Sequence, residues 1–108
     1  MTRQPSEQRE YLVQQFPKVS ESFFGMREAI KAVGPLDTKT QELITTAIYA
    51  TAGTEPGTKT HALRALQAGA SIEELNQALL LCLGVSMGFS HTYTAIEWVR
   101  EVAEAQGK

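Results

Sequence analysis

The chain has 108 residues, of which 43% are hydrophobic and 20% charged, and its formal net charge is −2. This is the composition of an ordinary globular domain, and it excludes a disordered chain. Acidic and basic residues are interspersed along the sequence, so no basic face predicts a nucleic-acid partner. We expect one domain over residues 1–108.

Cysteine and histidine are too scarce for most metal chemistry. Cys82 is the only cysteine, which excludes an internal disulfide and a site built on several thiolates. With two histidines in the chain, we expect no histidine-rich metal site and no bound metal. We also expect no organic cofactor. The polar N-terminal residues do not form a signal peptide, and the longest apolar stretch, 78–85, is far shorter than the roughly 20 residues of a membrane span. We therefore expect a cytoplasmic protein without a membrane segment.

Helical spacing of apolar residues dominates the sequence and predicts an all-α fold with about six helices. Gly34-Pro35 ends the second helix, Gly69 is placed for a left-handed cap on the fourth, and Ser71 to Glu74 form an S-x-x-E capping box that opens the fifth. The predicted helices span 6–16, 18–33, from Asp37 or Thr38 to 52, 58–68, from Ser71 to about 88, and 90–105.

Residues 75–85 are apolar on nearly every side of the predicted fifth helix. One small core rarely surrounds a helix completely. The excess apolar surface, with Gly84 and Gly88 permitting close approach of helices, favours burial against another subunit. The alternative is a central helix wrapped by the other five.

Two residues on consecutive predicted helices could exchange protons. Glu42 lies in the third helix and His61 at the start of the fourth, after a break that contains Gly53, Pro56 and Gly57. An imidazole titrates near neutral pH and a nearby carboxylate tunes it. The alternatives are a solvated glutamate favoured by the helix dipole and a packed or capping histidine. Spacing alone does not decide between them.

Three other side chains have a place near this break or in the last helices. Tyr49 shares the helix stripe of Glu42 and could line a pocket. His91 opens the last helix, where it could complete a pocket or only cap the helix. Cys82 lies in an apolar run, where a thiol usually behaves as a small hydrophobic group.

Two segments carry a family resemblance. L-D-T-K-T-Q-E-L-I from Leu36, and H-A-L-R-A-L-Q-A-G-A-S-I-E-E-L from His61, resemble the carboxymuconolactone decarboxylase family, which includes the alkylhydroperoxidase D-like proteins. The resemblance covers a core of about 36–98, preceded by the N-terminal helices of 6–33. It implies an alkylhydroperoxidase D-like helical fold whose subunits assemble as trimers, hexamers or similar ring-like homo-oligomers.

The resemblance also separates two branches of the family. The peroxidase branch has a C-x-x-C-x-x-x-H motif at the helix start and a relay glutamate in the preceding helix. Glu42 and His61 match the glutamate and the histidine, whereas the cysteine positions fall on Thr54 and Gly57. Peroxide reduction by that branch needs a thiolate and a resolving thiol, so we do not expect dithiol peroxidase activity. The lactone-decarboxylase branch, which also lacks the cysteines, is the nearer relative.

The resemblance therefore favours an enzyme, a metal-free acid/base decarboxylase or related lyase acting on a small cyclic or unsaturated carboxylic acid or lactone. It implies that Glu42 and His61 are catalytic. The candidate substrate-binding residues are Tyr49, Glu55, Arg64 and His91. Two alternatives remain open: a cysteine-less relative of the peroxidase branch that serves as an oligomeric binding or accessory protein, and a purely structural ring.

Overall fold

The computed structural model describes residues 5–107, with side chains from residue 7. This part of the chain contains six α-helices and no strand, which confirms the all-α fold class. None of its helices is both long enough and apolar enough to cross a membrane. The helices are α1 (Pro5–Gln15), α2 (Pro17–Ala32), α3 (Thr38–Thr51), α4 (Glu55–Gln67), α5 (Ile72–Leu80) and α6 (Phe89–Ala105).

The chain divides into two compact units, Met1–Pro35 and Leu36–Lys108. In the first unit, Pro17 occupies the first turn of α2, where a missing backbone N–H costs nothing. The Ser20 hydroxyl donates a hydrogen bond to the Leu12 carbonyl at 3.1 Å and so joins α2 to α1. The predicted apolar stripe of α2 is largely exposed, at Val19, Phe23, Met26, Ile30 and Val33.

The second unit holds the hydrophobic core, which α4, α5 and α6 supply in large part. Leu75, Leu79 and Val99 are completely buried. Most of the remaining core side chains are small, which lets the helices approach closely; they include Ala50, Ala62, Ala65, Ala95 and Ala103. The Asp37 carboxylate caps α3 by accepting the Thr40 backbone N–H at 2.8 Å. This start of α3 agrees with the sequence prediction.

Helix α4 begins three residues before its predicted start at Thr58, because Pro56 and Gly57 belong to its first turn. Proline is favoured there, since the first N–H groups of a helix have no partner within the helix. The sequence analysis was wrong to treat both residues as part of the break. As a consequence His61 lies in the middle of α4 and not at its start.

Helix α5 ends at Leu80, well before its predicted end near residue 88. Its capping box is present: the Ser71 hydroxyl accepts the Glu74 N–H at 3.0 Å, and the Glu74 carboxylate accepts the Ser71 N–H at 2.9 Å. After Leu80 the chain forms turns, and Gly84 adopts a φ of 85°, which a helix does not accommodate. The continuous apolarity of this segment therefore does not reflect one continuous helix.

The cap of α3 makes part of the stability sensitive to acid. Hydrogen bonds from the side chain and backbone of Thr40 hold the pKa of Asp37 below its ordinary value. A carboxyl group with a lowered pKa in the folded state stabilises the fold above its unfolded pKa, and this contribution is lost as the pH falls through the folded pKa. In Asp37→Asn, which keeps a capping oxygen, we expect the stability to depend less on pH below about 4.

Urea unfolding of the parent and of Asp37→Asn, at neutral pH and at about pH 3, tests this expectation. The difference between the two unfolding midpoints should change in favour of the variant at acidic pH. A difference that is independent of pH would show that the Asp37 charge contributes nothing to the cap.

Candidate functional site

Glu42 and His61 meet between α3 and α4. Glu42 lies in the second turn of α3, and its Oε2 is 2.6 Å from Nδ1 of His61, 19 residues later. Both residues are buried, with 6% of Glu42 and 9% of His61 exposed. The helical hairpin thus joins the two residues that the sequence analysis had singled out.

The contact defines which imidazole nitrogen remains available. An ionised carboxylate only accepts hydrogen bonds, so in a contact with ionised Glu42 the Nδ1 atom of His61 carries a proton and donates it. Nε2 is then the nitrogen that can accept or donate a proton to a third group. The carboxylate and the histidine of a catalytic triad are arranged in the same way, with the buried carboxylate orienting the imidazole.

Two threonines complete the polar groups packed between the helices. Thr46 donates from its hydroxyl to the Glu42 carbonyl at 2.7 Å, and Thr58 donates to the Thr54 carbonyl at 2.8 Å. Both threonines are fully buried. Each hydroxyl is satisfied within its own helix, so neither competes for the Glu42 carboxylate.

An aromatic ring covers the imidazole. The ring of Tyr49 stacks on that of His61 with centroids 5.1 Å apart and planes 19° apart. Tyr49 is 37% exposed, so its ring separates one face of the buried imidazole from solvent. The sequence analysis had placed Tyr49 on the stripe of Glu42, and the structure brings both residues to His61.

Thr54 and Gly57 occupy the positions at which the peroxidase branch has its two cysteines, and neither residue carries a group that could replace a thiol. Thr54 is the exposed N-cap residue of α4, and Gly57 lies against the Tyr49 ring. A Cβ added at Gly57 would lie 2.5 Å from Cε1 of Tyr49 and closer still to Cδ1. The Sγ atom of Cys82 lies elsewhere, 3.6 Å from the Thr51 hydroxyl. The sequence analysis missed the steric role of Gly57, because it placed this glycine in the break before the fourth helix.

The candidate substrate-binding residue Glu55 is engaged in an ion pair. Its carboxylate lies 2.7 Å from Nζ of Lys59, which lies equally close to Glu101 of α6. The hydrogen bond to Glu101 and, to a smaller extent, the one to Glu55 raise the pKa of Lys59 above its ordinary value. This bridge links α4 to α6 and leaves the role of Glu55 in substrate binding a prediction.

The other two candidates are His91 and Arg64, for which no hydrogen bond to Glu42 or His61 is found among the described residues. The Nε2 atom of His91 donates to the Ala50 carbonyl at 2.7 Å, near the end of α3. Arg64 is exposed on α4, one turn after His61. Substrate binding by His91 and Arg64 also remains a prediction.

A groove of about 570 Å³ lies on another side of α3, between α3 and α5. Its walls are mainly apolar, and neither Glu42 nor His61 lines it. Its lining also includes polar side chains, Thr40 and Glu74 among them. The residues that form its apolar walls are Leu43, Ile44, Ala47, Ile48, Ala78, Leu81 and Val85.

Known proteins resemble the chain over most of its length. A protein of Methanocaldococcus jannaschii, named Uncharacterized protein MJ1511, is 28% identical over 102 residues, which cover 94% of each chain. Two crystal structures of TM1620 from Thermotoga maritima superpose with TM-scores of 0.77 and 0.79, at 26% and 27% identity. They cover 94% of this chain, which in turn covers 89% and 91% of theirs.

The Thermotoga protein is described as a carboxymuconolactone decarboxylase family protein and as a candidate participant in an antioxidative response. Residues 17–104 of the present chain match the sequence profile of that same family. The match includes α3 and α4 and therefore both Glu42 and His61. The chain belongs to the carboxymuconolactone decarboxylase family.

Proposed function

We propose that the protein is a small acid/base lyase in which Glu42 and His61 carry out proton transfer. The observation that carries this proposal is the buried contact of 2.6 Å between Glu42 Oε2 and His61 Nδ1. Burying a carboxylate without a partner costs folding free energy, and the Glu42 carboxylate has a partner in the imidazole that it orients. Such a pair is suited to general acid/base catalysis near neutral pH.

The proposed reaction is a decarboxylation. When the bond between a carboxylate and its α-carbon breaks, CO2 leaves and the electron pair remains on the substrate as a carbanion or enolate. Protonated His61 donates the Nε2 proton to that carbon, and Glu42 stabilises the imidazolium before the transfer. A proton from the solvent then returns to Nε2, so the net reaction consumes one proton for each CO2 released. Atoms and charge balance without a thiol.

The substrate class follows from this chemistry and from the family. A carbanion forms most readily where a ring carbonyl or a double bond delocalises it, so the substrate is a small cyclic or unsaturated carboxylic acid or lactone. Arg64, which is exposed on α4 one turn after His61, is a candidate to meet a substrate carboxylate. Tyr49, Glu55 and His91 remain candidates for contacts with the rest of the substrate.

A second candidate function is a cysteine-less binding or accessory protein of the peroxidase branch. It is favoured by the description of the Thermotoga protein in connection with an antioxidative response. Dithiol peroxidase activity itself is not proposed, because Thr54 and Gly57 supply no thiol. The lyase requires the Glu42–His61 pair for turnover, whereas the binding or accessory protein catalyses no reaction with it.

We also propose that the chain self-associates as a trimer or hexamer. Several large apolar side chains of the second unit are exposed, including Leu81 at 69%, Val85 at 85% and Phe89 at 83%. Exposed apolar surface on this scale marks an interaction site in soluble proteins. The apolar groove between α3 and α5 adjoins Leu81 and Val85, and a second copy of the chain is the proposed occupant.

Replacement of either member of the pair tests the proposed chemistry. With carboxymuconolactone and related unsaturated lactone acids as probes, we expect Glu42→Gln and His61→Asn each to lower the rate of CO2 release by about 10²–10⁴-fold. In D2O the product of the parent protein should carry deuterium at the protonated carbon. Glu104→Gln, which removes an exposed carboxylate of α6, is the matched control and should leave the rate unchanged.

Equal rates of CO2 release in the parent and in both variants would contradict the acid/base role. If a variant has a lowered rate, light scattering on the same sample shows whether its assembly has been lost. An absence of CO2 release from every probe, with intact assembly, would favour the binding or accessory function.

The proposed self-association predicts a molar mass of three or six chains at micromolar concentration. In Val85→Glu combined with Leu81→Glu, we expect a smaller mass, because burying two carboxylates in an apolar interface is costly. Gln106→Glu, an exposed change after α6, should keep the mass of the parent. Size-exclusion chromatography with light scattering measures all three, and a monomeric parent protein would contradict the proposal.

A further inference from the structure

The imidazole of His61 is held on two sides by residues of α3. Glu42 fixes one edge through its contact with Nδ1, and Tyr49 covers one face with its ring. The two residues lie seven positions apart, which is about two helical turns and brings them to the same side of α3. A hydrogen bond alone leaves an imidazole free to tilt about the bond, whereas a stacked ring removes that freedom.

The place of the Tyr49 ring depends on the absence of a side chain at Gly57. A Cβ at that position would lie closer to three atoms of the Tyr49 ring than the sum of the van der Waals radii allows. Gly57 does not adopt a left-handed conformation, so its backbone does not require glycine. Glycine inside a helix is less favourable than alanine. Space for the ring is therefore the physical reason for glycine here.

We propose that Tyr49 is a positioning residue for His61 and that Gly57 is the residue that admits its ring. The stack keeps the imidazole plane aligned with the Glu42 carboxylate and directs proton exchange to the Nε2 edge. The same ring fills the volume that any side chain at position 57 would need, a cysteine included. The inference rests on the proposed function, since positioning matters only if His61 exchanges protons with a substrate.

The arrangement also restricts how a substrate reaches the imidazole. One face of the ring is covered by Tyr49 and Nδ1 is engaged by Glu42, so Nε2 is the nitrogen that remains for exchange with a substrate. The outer face of Tyr49 retains exposure to solvent.

The geometry can be measured without any substrate. The ring current of Tyr49 shields the imidazole carbon-bound protons of His61, so their NMR signals should lie upfield of those of His91. We expect Tyr49→Phe to keep this displacement and Tyr49→Leu to lose it. The control is Tyr93→Leu, which removes an exposed tyrosine from α6 and should leave the His61 signals unchanged.

Chemical modification gives a second readout in the same proteins. Diethyl pyrocarbonate acylates an unprotonated imidazole nitrogen, and peptide mass spectrometry distinguishes His61 from His91. Acylation of His61 should be faster in Tyr49→Leu than in the parent or in Tyr49→Phe. Unchanged signals and an unchanged acylation rate in Tyr49→Leu would overturn the positioning role.

A pair of glycine variants tests the second half of the proposal. Gly57→Ala should displace the Tyr49 ring, lower the unfolding midpoint and abolish the upfield displacement of His61. Gly25→Ala is the matched control, because Gly25 is also helical and its Cβ would meet nothing within 4 Å. Gly25→Ala should leave the midpoint unchanged or raise it.

The double variant Tyr49→Ala/Gly57→Ala keeps the test decisive if Gly57→Ala alone does not fold. The double variant should be no less stable than Tyr49→Ala, because the two changes relieve each other. A Gly57→Ala protein as stable as the parent, with an unaltered His61 signal, would show that Gly57 is not needed for the ring.

Turnover separates this inference from the proposed function. If the pair is catalytic, Tyr49→Leu should lower kcat by roughly tenfold or more with a smaller change in KM. Tyr49→Phe, which keeps the ring, should have the kcat of the parent. A full rate in Tyr49→Leu, with Glu42→Gln and His61→Asn inactive, would contradict the positioning role and leave the proposed function intact. The NMR result stands independently if no probe turns over.

Discussion

The buried contact between Glu42 and His61 is the constraint on which the arrangement of α3 and α4 depends. A carboxylate that is 6% exposed needs a partner within the fold, and among the described residues the imidazole of His61 supplies it at 2.6 Å. The two helices are therefore held in one register, because sliding either by a single residue would rotate its member of the pair away. The short turn from Ala52 to Thr54 makes this register accessible by keeping the helices antiparallel neighbours.

The helices could be predicted wherever local chemistry fixes them. Asp37 and Ser71 are capping residues whose bonds lie within four residues of chain, so sequence spacing is sufficient to identify them. The errors fall where one residue type has two uses. Pro56 would break a helix interior but starts a helix well. Helix α5 ends at Leu80, before the turn at Gly84, within an apolar segment that contains no polar residue to mark the end. Hydrophobic periodicity cannot distinguish these cases.

The candidate site was predictable only in part. Glu42 and His61 came from the family resemblance, since spacing alone left both with ordinary structural explanations. The stacking of Tyr49 depends on a side-chain rotamer and on empty space at Gly57, 8 residues along the chain, and no one-dimensional pattern records such a contact. The ion pair of Glu55 with Lys59 has the i, i+4 spacing of a helix and could have been recognised had the start of α4 been placed correctly.

Helix α3 also separates the proposed chemistry from the proposed assembly. Glu42 and Tyr49 face α4, whereas Ile44 and Ile48 line the apolar groove. Two residues along a helix correspond to about 200°, so Ile44 points away from Glu42. The hydrogen bond to His61 is therefore made entirely within one chain and does not require a partner at the groove. A partner seated in the groove would contact α3 on the side away from the Glu42–His61 pair, because no residue is shared between the groove and the pair.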